Sequence, residues 1–352
     1  MILPSDAAQP RHRWGPDQDK LHRHLLRHPS LLPRGAHLLL AVSGGQDSMA
    51  LTALLMDLRP LHGWSLSLWH GDHGWRRESA AHGQALAAWA GSRGLPLHRE
   101  QAQPIPGSEA EARHWRYSCL RRQAEALGYR HVLTGHTASD RAETLLLHLA
   151  RGCHRQGLAS LRASRPLAEG MHLVRPLLLF SRQDTARICA DQGVPVWIDP
   201  TNKERRFSRN RLRAEVLPVL EDLHPGATTR MAAMAERLAQ EEEQGEELVA
   251  MVIKGLEAPA NPALGEGEIG LMRQGLLALQ PANQGRVLQS WLRRHWGGTL
   301  RRNDLEVLLS RMRVSEQSGR QDLAHGWHLR WDGLRISLLP PRQHQTTHGD
   351  HP

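Results

Sequence analysis

Cysteine is scarce in this chain, and long apolar segments are missing. Three cysteines, Cys119, Cys153 and Cys189, stand far apart among 352 residues, which excludes a disulfide framework and a Cys-x-x-Cys metal or redox site. No apolar run approaches the roughly 20 residues of a membrane span, and the polar N-terminus lacks the apolar core of a signal peptide. We therefore predict a cytoplasmic protein that does not associate with membranes.

Phenylalanine and tyrosine are also rare, at two residues each, and acidic residues are outnumbered by basic ones. The formal net charge is +9 and the sequence pI is about 10.5. A basic surface favours a polyanionic partner such as nucleic acid. Arginine far outnumbers lysine, however, and genomic base composition also produces that bias, so charge alone leaves both explanations open.

Apolar runs and helical patterns alternate through most of the chain. They predict strands at 37–42, 64–70, 95–100 and 130–135, and helices at 17–28, 47–58, 77–92, 108–127, 139–150, 181–192 and 207–221. This alternation is typical of α/β proteins with a parallel sheet covered by helices on both faces. Ligands of such sheets lie at the carboxyl ends of the strands.

The pattern changes after a break at 223–226. Helices are predicted at 227–256, 282–296 and 303–313, and a hairpin at 327–339 with Asp332-Gly333 as its turn. We predict four regions: a tail and helix at 1–34, the α/β domain at 35–224, a mainly helical region at 225–340, and a disordered tail at 341–352.

The most informative segment is Ser43–Ser48, Ser-Gly-Gly-Gln-Asp-Ser, between a predicted strand and a predicted helix. A glycine turn in this position aims backbone N–H groups and a helix N-terminus at one point, which suits a phosphate. Asp47 would repel a phosphate, so its carboxylate indicates Mg²⁺ between the two. The spacing is neither that of a Walker A loop nor Gly-x-Gly-x-x-Gly. For the two glycines alone, an ordinary turn is the favoured alternative.

The segment Gly135–Thr144 follows another predicted strand. Ser139 is the predicted N-cap of the next helix. Asp140 and Glu143 are three residues apart, so their carboxylates share one helix face and suit a cation, either Mg²⁺ or an ammonium group. The alternative is that they only cap the helix and offset its dipole.

Two further segments carry polar side chains. His70–Arg76 ends a predicted strand, and a wall of the nucleotide pocket is favoured over a zinc site because no cysteine accompanies its histidines. The stretch 205–213 is the most basic of the chain. On a helix, Arg209 and Arg213 are i and i+4, and such paired guanidinia suit phosphate. Phe207 offers a ring for base stacking; a solvated basic face is the alternative.

Taken in order, these segments resemble those of the tRNA(Ile)-lysidine synthetase family of PP-loop ATPases, whose Rossmann-like fold is that of the adenine nucleotide alpha hydrolases. The resemblance covers roughly residues 35–226 and rests on Ser43–Ser48, His70–Arg76, Glu111–Arg113 with Arg116-Tyr117, Gly135–Thr144, Arg175–Leu177, and 199–218. Enzymes of this family join lysine to the wobble cytidine of the isoleucine tRNA with a CAU anticodon. The modification switches decoding from AUG to AUA and charging from methionine to isoleucine.

The resemblance implies a two-step reaction with ATP, Mg²⁺ and free L-lysine. ATP adenylates the cytosine O2, pyrophosphate leaves, and the lysine ε-amine then displaces AMP at C2. The implied catalytic residues are Asp47, Asp140, Glu143, Arg209 and Arg213, with Asp47 on the metal. The implied nucleotide-binding residues are Ser43, Gly44, Gly45, Gln46, Asp47, Ser48 and His73. The implied contacts with lysine or tRNA come from Asp140, Glu143, Arg206, Phe207, Arg209, Asn210 and Arg213. A homodimer is left open, as is the group that takes the amine proton.

This chain departs from the commonest family wording, His-His-x-Asp-Asp-Gln-Ala-Glu-Thr. Thr137 replaces the second histidine, Ser139 the first aspartate and Arg141 the glutamine. Any metal-binding role of the missing aspartate is therefore assigned to Asp140. Two rival functions stay open: a PP-loop tRNA thiolation enzyme, which would need reactive and often paired cysteines, and a nucleotide- or tRNA-binding relative without catalysis.

Overall fold

The chain forms two compact units, Met1–Gln240 and Glu241–Pro352. A computed structural model describes residues 14–75, 79–153, 155–159, 161–197, 208–259, 261, 267–314 and 318–341. The division between the units falls inside a long helix, whereas the sequence places a break in the preceding loop. The four predicted regions therefore stay a prediction.

A six-stranded sheet lies at the centre of the first unit. Its strands are β1 His37–Ala41, β2 Ser65–Asp72, β3 Leu97–Gln101, β4 His131–Thr134, β5 Ser164–Ala168 and β6 Met171–Val174, in the order β3-β2-β1-β4-β6-β5. All neighbours pair in parallel except β5, which joins β6 antiparallel. The strand order reverses between β1 and β4, and sheets of this kind bind ligands in the crevice at that point.

Helices follow the strands as the sequence predicts. They are α1 Pro16–Arg27, α2 Gln46–His62, α3 Ser79–Ser92, α4 Glu109–Leu127, α5 Ala138–Ala150, α6 Arg155–Leu158, α7 Arg182–Asp191, α8 Ser208–Arg211 and α9 Leu217–Leu223, with a 3₁₀ turn at Pro176–Leu179. Leu38 and Leu40 of β1 belong to one apolar core cluster and Leu39 to another, because successive side chains of a strand point to opposite faces of the sheet. Both faces of β1 are therefore buried, as the parallel-sheet prediction requires.

The helix predicted at 207–221 is confirmed in its described part, which is helical from residue 208 to residue 223 without a break, but it is not a regular α-helix. Its described part consists of α8, a π-helical stretch at Leu212–Val216, and α9. Pro218 lies in the first turn of α9 and has no backbone N–H, so it cannot donate to residue 214 as a regular α-helix requires. The π-helical stretch ends two residues before this proline, and its wider turn changes the angular spacing of Arg209 and Arg213 from the regular i, i+4 relation.

The second unit combines helices with an antiparallel sheet. The long helix α10, Ala227–Leu256, spans the division, and α11 Arg273–Ala278, α12 Pro281–His295 and α13 Arg302–Val314 follow. The described strands are β7 Glu257–Ala258, β8 Ile269–Met272, β9 Gly319–Asp322, β10 His328–Trp331 and β11 Arg335–Leu339, in the order β7-β8-β11-β10-β9. The predicted hairpin is confirmed, since Trp331 pairs with Ile336 around Asp332-Gly333. Among the described residues, no helix combines the length and apolar character that a membrane crossing needs.

Candidate active site at the carboxyl ends of β1 and β4

A short glycine loop leads from β1 into α2. Gly44 has a φ of +83°, a left-handed conformation that glycine adopts without a steric penalty, and its carbonyl accepts a hydrogen bond from the Trp197 backbone at 2.9 Å. The Ser43 hydroxyl accepts from Gly45 N at 3.2 Å and lies 3.3 Å from the Ser48 hydroxyl. Gly45 is the N-cap of α2 and provides no side-chain cap. The N-terminus of α2 therefore has backbone donors suited to an anion.

The end of β4 packs directly against the first turn of α2. A Cβ on Gly135 would lie 2.8 Å from the Asp47 carbonyl oxygen and 2.9 Å from Ser48 N, closer than side-chain carbons approach such atoms. Glycine is therefore the residue that fits here. This close approach brings the segment Gly135–Thr144 beside the glycine loop.

The Asp47 carboxylate is held by two residues of α7 that the sequence did not identify. The Thr185 hydroxyl donates to Asp47 Oδ1 at 2.6 Å, and Arg182 Nη1 lies 3.2 Å from Oδ2. Burial raises the pKa of Asp47 above its usual value, although Arg182 and Thr185 act in the opposite direction. The only sequence signal for this contact is the capping box that begins α7, Ser181 with Asp184.

Thr137, and not Ser139, is the N-cap of α5, so the predicted cap is wrong. Asp140 Oδ2 accepts from the backbone N and the hydroxyl of Thr137, each at 2.8 Å, which completes a capping box. The helix begins at residue 138, ahead of Ser139. The Ser139 hydroxyl instead accepts from Arg182 N at 3.1 Å. Both replacements relative to the family wording thus have structural partners.

Arg213 bridges the two carboxylates of α5. Its Nε and Nη2 lie 2.7 Å and 2.9 Å from the two carboxylate oxygens of Glu143, and Nη2 lies 3.5 Å from Asp140 Oδ1. The Glu143 side chain is only 1% exposed. Burial disfavours the charge of Arg213, but Glu143 outweighs it and raises the pKa of Arg213. The predicted shared face of Asp140 and Glu143 is confirmed, and Arg213 faces these carboxylates.

His136 lies beside this pair as a neutral imidazole. Its Nδ1 is 2.8 Å from the Thr134 hydroxyl. Burial lowers the pKa of His136 to about 4; Asp140 opposes this, whereas Arg175, Arg113 and Arg209 add to it. Three guanidinium groups therefore lie close enough to His136, just after β4, to lower its pKa.

The other predicted site residues have varied surroundings. Arg209 and Asn210 are half-buried on α8, whereas Arg206 and Phe207 lie outside the described residues, as does the segment 199–205. His73 contacts Arg116, whose Nη2 lies 2.9 Å from its Nε2, and burial lowers the pKa of His73 to about 4. Its place in a nucleotide pocket stays a prediction.

The described residues offer a metal single carboxylates or a pair. No group of three or more histidine, cysteine, aspartate or glutamate side chains is arranged there to hold a metal. Mg²⁺ usually binds through one or two carboxylates together with substrate phosphates, and Asp47 beside the glycine loop fits that mode.

The thiol of Cys189 is buried, and burial raises its pKa to about 11, which disfavours a reactive thiolate.

Arg141, the third replacement, is a buried connector. Its Nε and Nη2 donate to the Leu161 carbonyl at 3.2 Å and 2.9 Å, and Nη1 pairs with Glu236 of α10. Its side chain is 4% exposed. The replacement therefore ties the site helix α5 to α10.

Arg141→Gln is expected to destabilise the protein by about 2–4 kcal/mol, because it leaves Glu236 without its cation and shortens the reach to Leu161. Urea unfolding at pH 7 measures this free energy. Arg151→Gln, at the exposed end of α5, serves as the matched control and should change it by less than about 0.5 kcal/mol. Equal effects of the two variants would contradict the connector role.

Comparison with known proteins identifies the family. Residues 18–220 match the model of the PP-loop domain. A tRNA(Ile)-lysidine synthase from Parasynechococcus marenigrum (strain WH8102) is 50% identical over 333 residues, which cover 93% of this chain and 96% of the relative. The chain belongs to the tRNA(Ile)-lysidine synthase family. Another member, from Thermosynechococcus vestitus (strain NIES-2133 / IAM M-273 / BP-1), is 40% identical over 329 residues, 93% of each chain.

A solved structure supports the same fold. The U34-tRNA thiolase NcsA from Methanococcus maripaludis, determined with its [4Fe-4S] cluster, superposes with a TM-score of 0.54 and 15% identity, covering 63% of this chain and 77% of the thiolase. At that identity the likeness concerns the fold alone. The predicted PP-loop fold and the resemblance to the lysidine synthases are confirmed, and membership of this family disfavours the thiolation alternative.

Proposed function

We propose that this chain joins free L-lysine to C2 of the wobble cytidine of the isoleucine tRNA with a CAU anticodon, releasing AMP and pyrophosphate from ATP. One observation carries the proposal. The close approach of Gly135 to Asp47 brings a phosphate-binding loop and a carboxylate pair into one crevice, in a chain that belongs to the lysidine synthases.

The glycine loop supplies the adenylation half of the site. Backbone N–H groups at the start of α2 and the hydroxyls of Ser43 and Ser48 suit the phosphates of ATP. Gln46 contributes through its backbone, since its side-chain amide already donates to Arg182 O at 2.6 Å. Mg²⁺ held by Asp47 and phosphate oxygens would offset the charge of the leaving pyrophosphate.

The carboxylates of α5 supply the lysine half. Arg213 and, at longer range, Arg209 offset part of the negative charge of Asp140 and Glu143. Asp140, with 21% of its side chain exposed, is the carboxylate that an ammonium group can reach. The attacking ε-amine must be neutral, and the α-ammonium of lysine is therefore the group that these carboxylates suit. His136, uncharged above pH about 4, adds no competing positive charge.

Arg209 and Asn210, with Arg206 and Phe207, are the proposed contacts with tRNA. Arg209→Ala is expected to weaken tRNA binding and to lower the slope of log K against log salt by about 1, the loss of one phosphate contact. Filter binding at several salt concentrations measures both. Arg211→Ala on the same helix, whose guanidinium pairs with Glu215 at 3.0 Å, is the control. Identical slopes for Arg209→Ala and the unmodified protein would exclude the phosphate contact.

Product analysis tests the proposed use of ATP. In the presence of the isoleucine tRNA and lysine, we expect AMP and pyrophosphate in equal amounts. ADP and inorganic phosphate as products would contradict the proposal. The cytoplasm, where tRNA is available and thiols stay reduced, is the proposed compartment, and a homodimer is left open.

A further inference from the structure

Arg182 is the first residue of α7, and two hydrogen bonds join its backbone to the active site. Its N–H donates to the Ser139 hydroxyl at 3.1 Å. Its carbonyl accepts from Gln46 Nε2 at 2.6 Å. The start of α7 is thereby held against both the glycine loop and α5.

The guanidinium of Arg182 contacts Asp47 through only one of its nitrogens, at 3.2 Å. Arg213, in contrast, binds Glu143 through two nitrogens. A guanidinium has five N–H donors, and the Arg182 side chain is 33% exposed. A ligand in the crevice can therefore reach it.

The geometry points to a phosphate-binding, catalytic role for Arg182: we propose that its guanidinium binds the β and γ phosphates of ATP and stabilises the departing pyrophosphate. Asp47 lies in the first turn of α2, so a phosphate on the uncapped N-terminus of α2 lies close to the group that contacts Asp47. A planar guanidinium can bind two phosphate oxygens at once. Its contact with Asp47, through one nitrogen at 3.2 Å, does not use that capacity. The inference rests on the proposed use of ATP at this loop.

The chemical contribution concerns the leaving group. In adenylation the cytosine O2 forms a bond with the α phosphorus, the bond from that phosphorus to the bridging oxygen breaks, and its electron pair stays on pyrophosphate. Negative charge therefore grows on the β phosphate during the step. A fixed cation at that position stabilises the transition state more than the ground state.

The alternative is that Arg182 only neutralises Asp47, and a set of variants separates the two roles. Arg182→Gln removes the charge, and Arg187→Gln on the same helix is the matched control, since the Arg187 guanidinium pairs with Asp17 and Asp184. Calorimetry in EDTA gives the dissociation constants of pyrophosphate and of AMP without metal. We expect Arg182→Gln to weaken pyrophosphate binding about 10- to 100-fold and AMP binding less than about twofold, with Arg187→Gln unchanged in both.

The same measurement in an Asp47→Asn background decides between the roles. Without metal, Asp47→Asn should strengthen pyrophosphate binding, because it removes a repulsive charge. Adding Arg182→Gln should weaken binding again by the same factor as in the unmodified protein. No effect in that background would overturn the proposal, since a mere counter-ion of Asp47 has nothing left to neutralise.

The outcomes distinguish this inference from the proposed function. Failure of the unmodified protein to bind ATP or pyrophosphate in the presence of Mg²⁺ would refute the proposed function itself. Normal binding by the unmodified protein and by Arg182→Gln alike would refute only the role of Arg182. AMP binding shows that each variant is folded, and Arg182→Lys, which keeps the charge but not the fork, is expected to bind pyrophosphate with intermediate affinity.

Discussion

Asp47→Asn is expected to lower lysine incorporation into tRNA by at least about 1000-fold while the protein stays folded. The amide keeps the size of the carboxylate and can still accept from the Thr185 hydroxyl, now 2.6 Å from Asp47 Oδ1. It lacks the negative charge that a Mg²⁺ ion between loop and phosphate requires. Incorporation of labelled lysine measures the activity. Asp57→Asn, ten positions along the same helix, is the control and should retain activity.

The same substitution is expected to stabilise the protein without nucleotide. Because burial raises the pKa of Asp47, the folded state binds this proton more tightly than the unfolded state does. The ionised carboxylate therefore costs stability above its folded pKa, and the cost disappears as the pH falls below the ordinary value of 3.8. Thermal unfolding should show a higher midpoint for Asp47→Asn at pH 7 and no difference below pH about 3.8. A lower midpoint at pH 7, or activity near normal, would refute the assignment of Asp47.

Glu143→Gln is expected to lower lysine transfer about 100-fold while adenylation of the tRNA continues. Glutamine keeps the size of the buried side chain and one acceptor for Arg213, but the negative charge offered to the lysine ammonium is lost. Rapid quench separates the two steps, because pyrophosphate release reports adenylation and lysine incorporation reports transfer. Equal loss of both steps would indicate instead that the carboxylate serves the nucleotide.

Arg213→Gln distinguishes lysine binding from simple packing of the ion pair. If Glu143 served only to hold Arg213, both variants would have the same phenotype. We expect Glu143→Gln to raise the KM for lysine at every pH. Arg213→Gln should leave the KM unchanged or lower at high pH and raise it as the pH falls, because burial raises the pKa of Glu143 and Arg213 opposes that rise. A KM raised equally at every pH in both variants would contradict the charge balance proposed for α5.

The local pattern of the sequence predicts much of this architecture. Leu38–Val42 forms an apolar run that ends directly before Ser43–Ser48, and a buried strand followed by a glycine turn and a helix is what the structure contains. Asp140 and Glu143 are three residues apart on a helix, so their common face follows from the helical repeat. These features depend on residues close together in the chain.

The contacts that complete the site join distant parts of the chain, and local patterns do not contain them. Thr185 and Asp47 are 138 positions apart, and their pairing depends on where β6 and α7 lie relative to α2. Arg141 reaches Glu236 in the same way. The π-helical stretch precedes Pro218, which the sequence shows, but the pairing of Arg213 with Glu143 is evident only in the structure.

The replaced family residues show how the sequence alone misleads. Thr137, Ser139 and Arg141 look like losses from a catalytic motif. In the structure Thr137 caps α5, Ser139 binds the backbone of Arg182, and Arg141 anchors α10. Each of the three replacement residues makes a contact that supports the fold. The carboxylates of Asp47, Asp140 and Glu143 all lie in the crevice. The replacements are therefore compatible with catalysis.

Transfer of labelled lysine to tRNA tests the proposed function most directly. The protein is incubated with ATP, Mg²⁺, radiolabelled lysine and the isoleucine tRNA with a CAU anticodon, and the same tRNA with uridine at the wobble position serves as the control. We expect label in the first tRNA only, dependent on ATP and accompanied by one AMP for each lysine attached. No label in the CAU tRNA, or incorporation of sulfur from a sulfur donor instead, would contradict it.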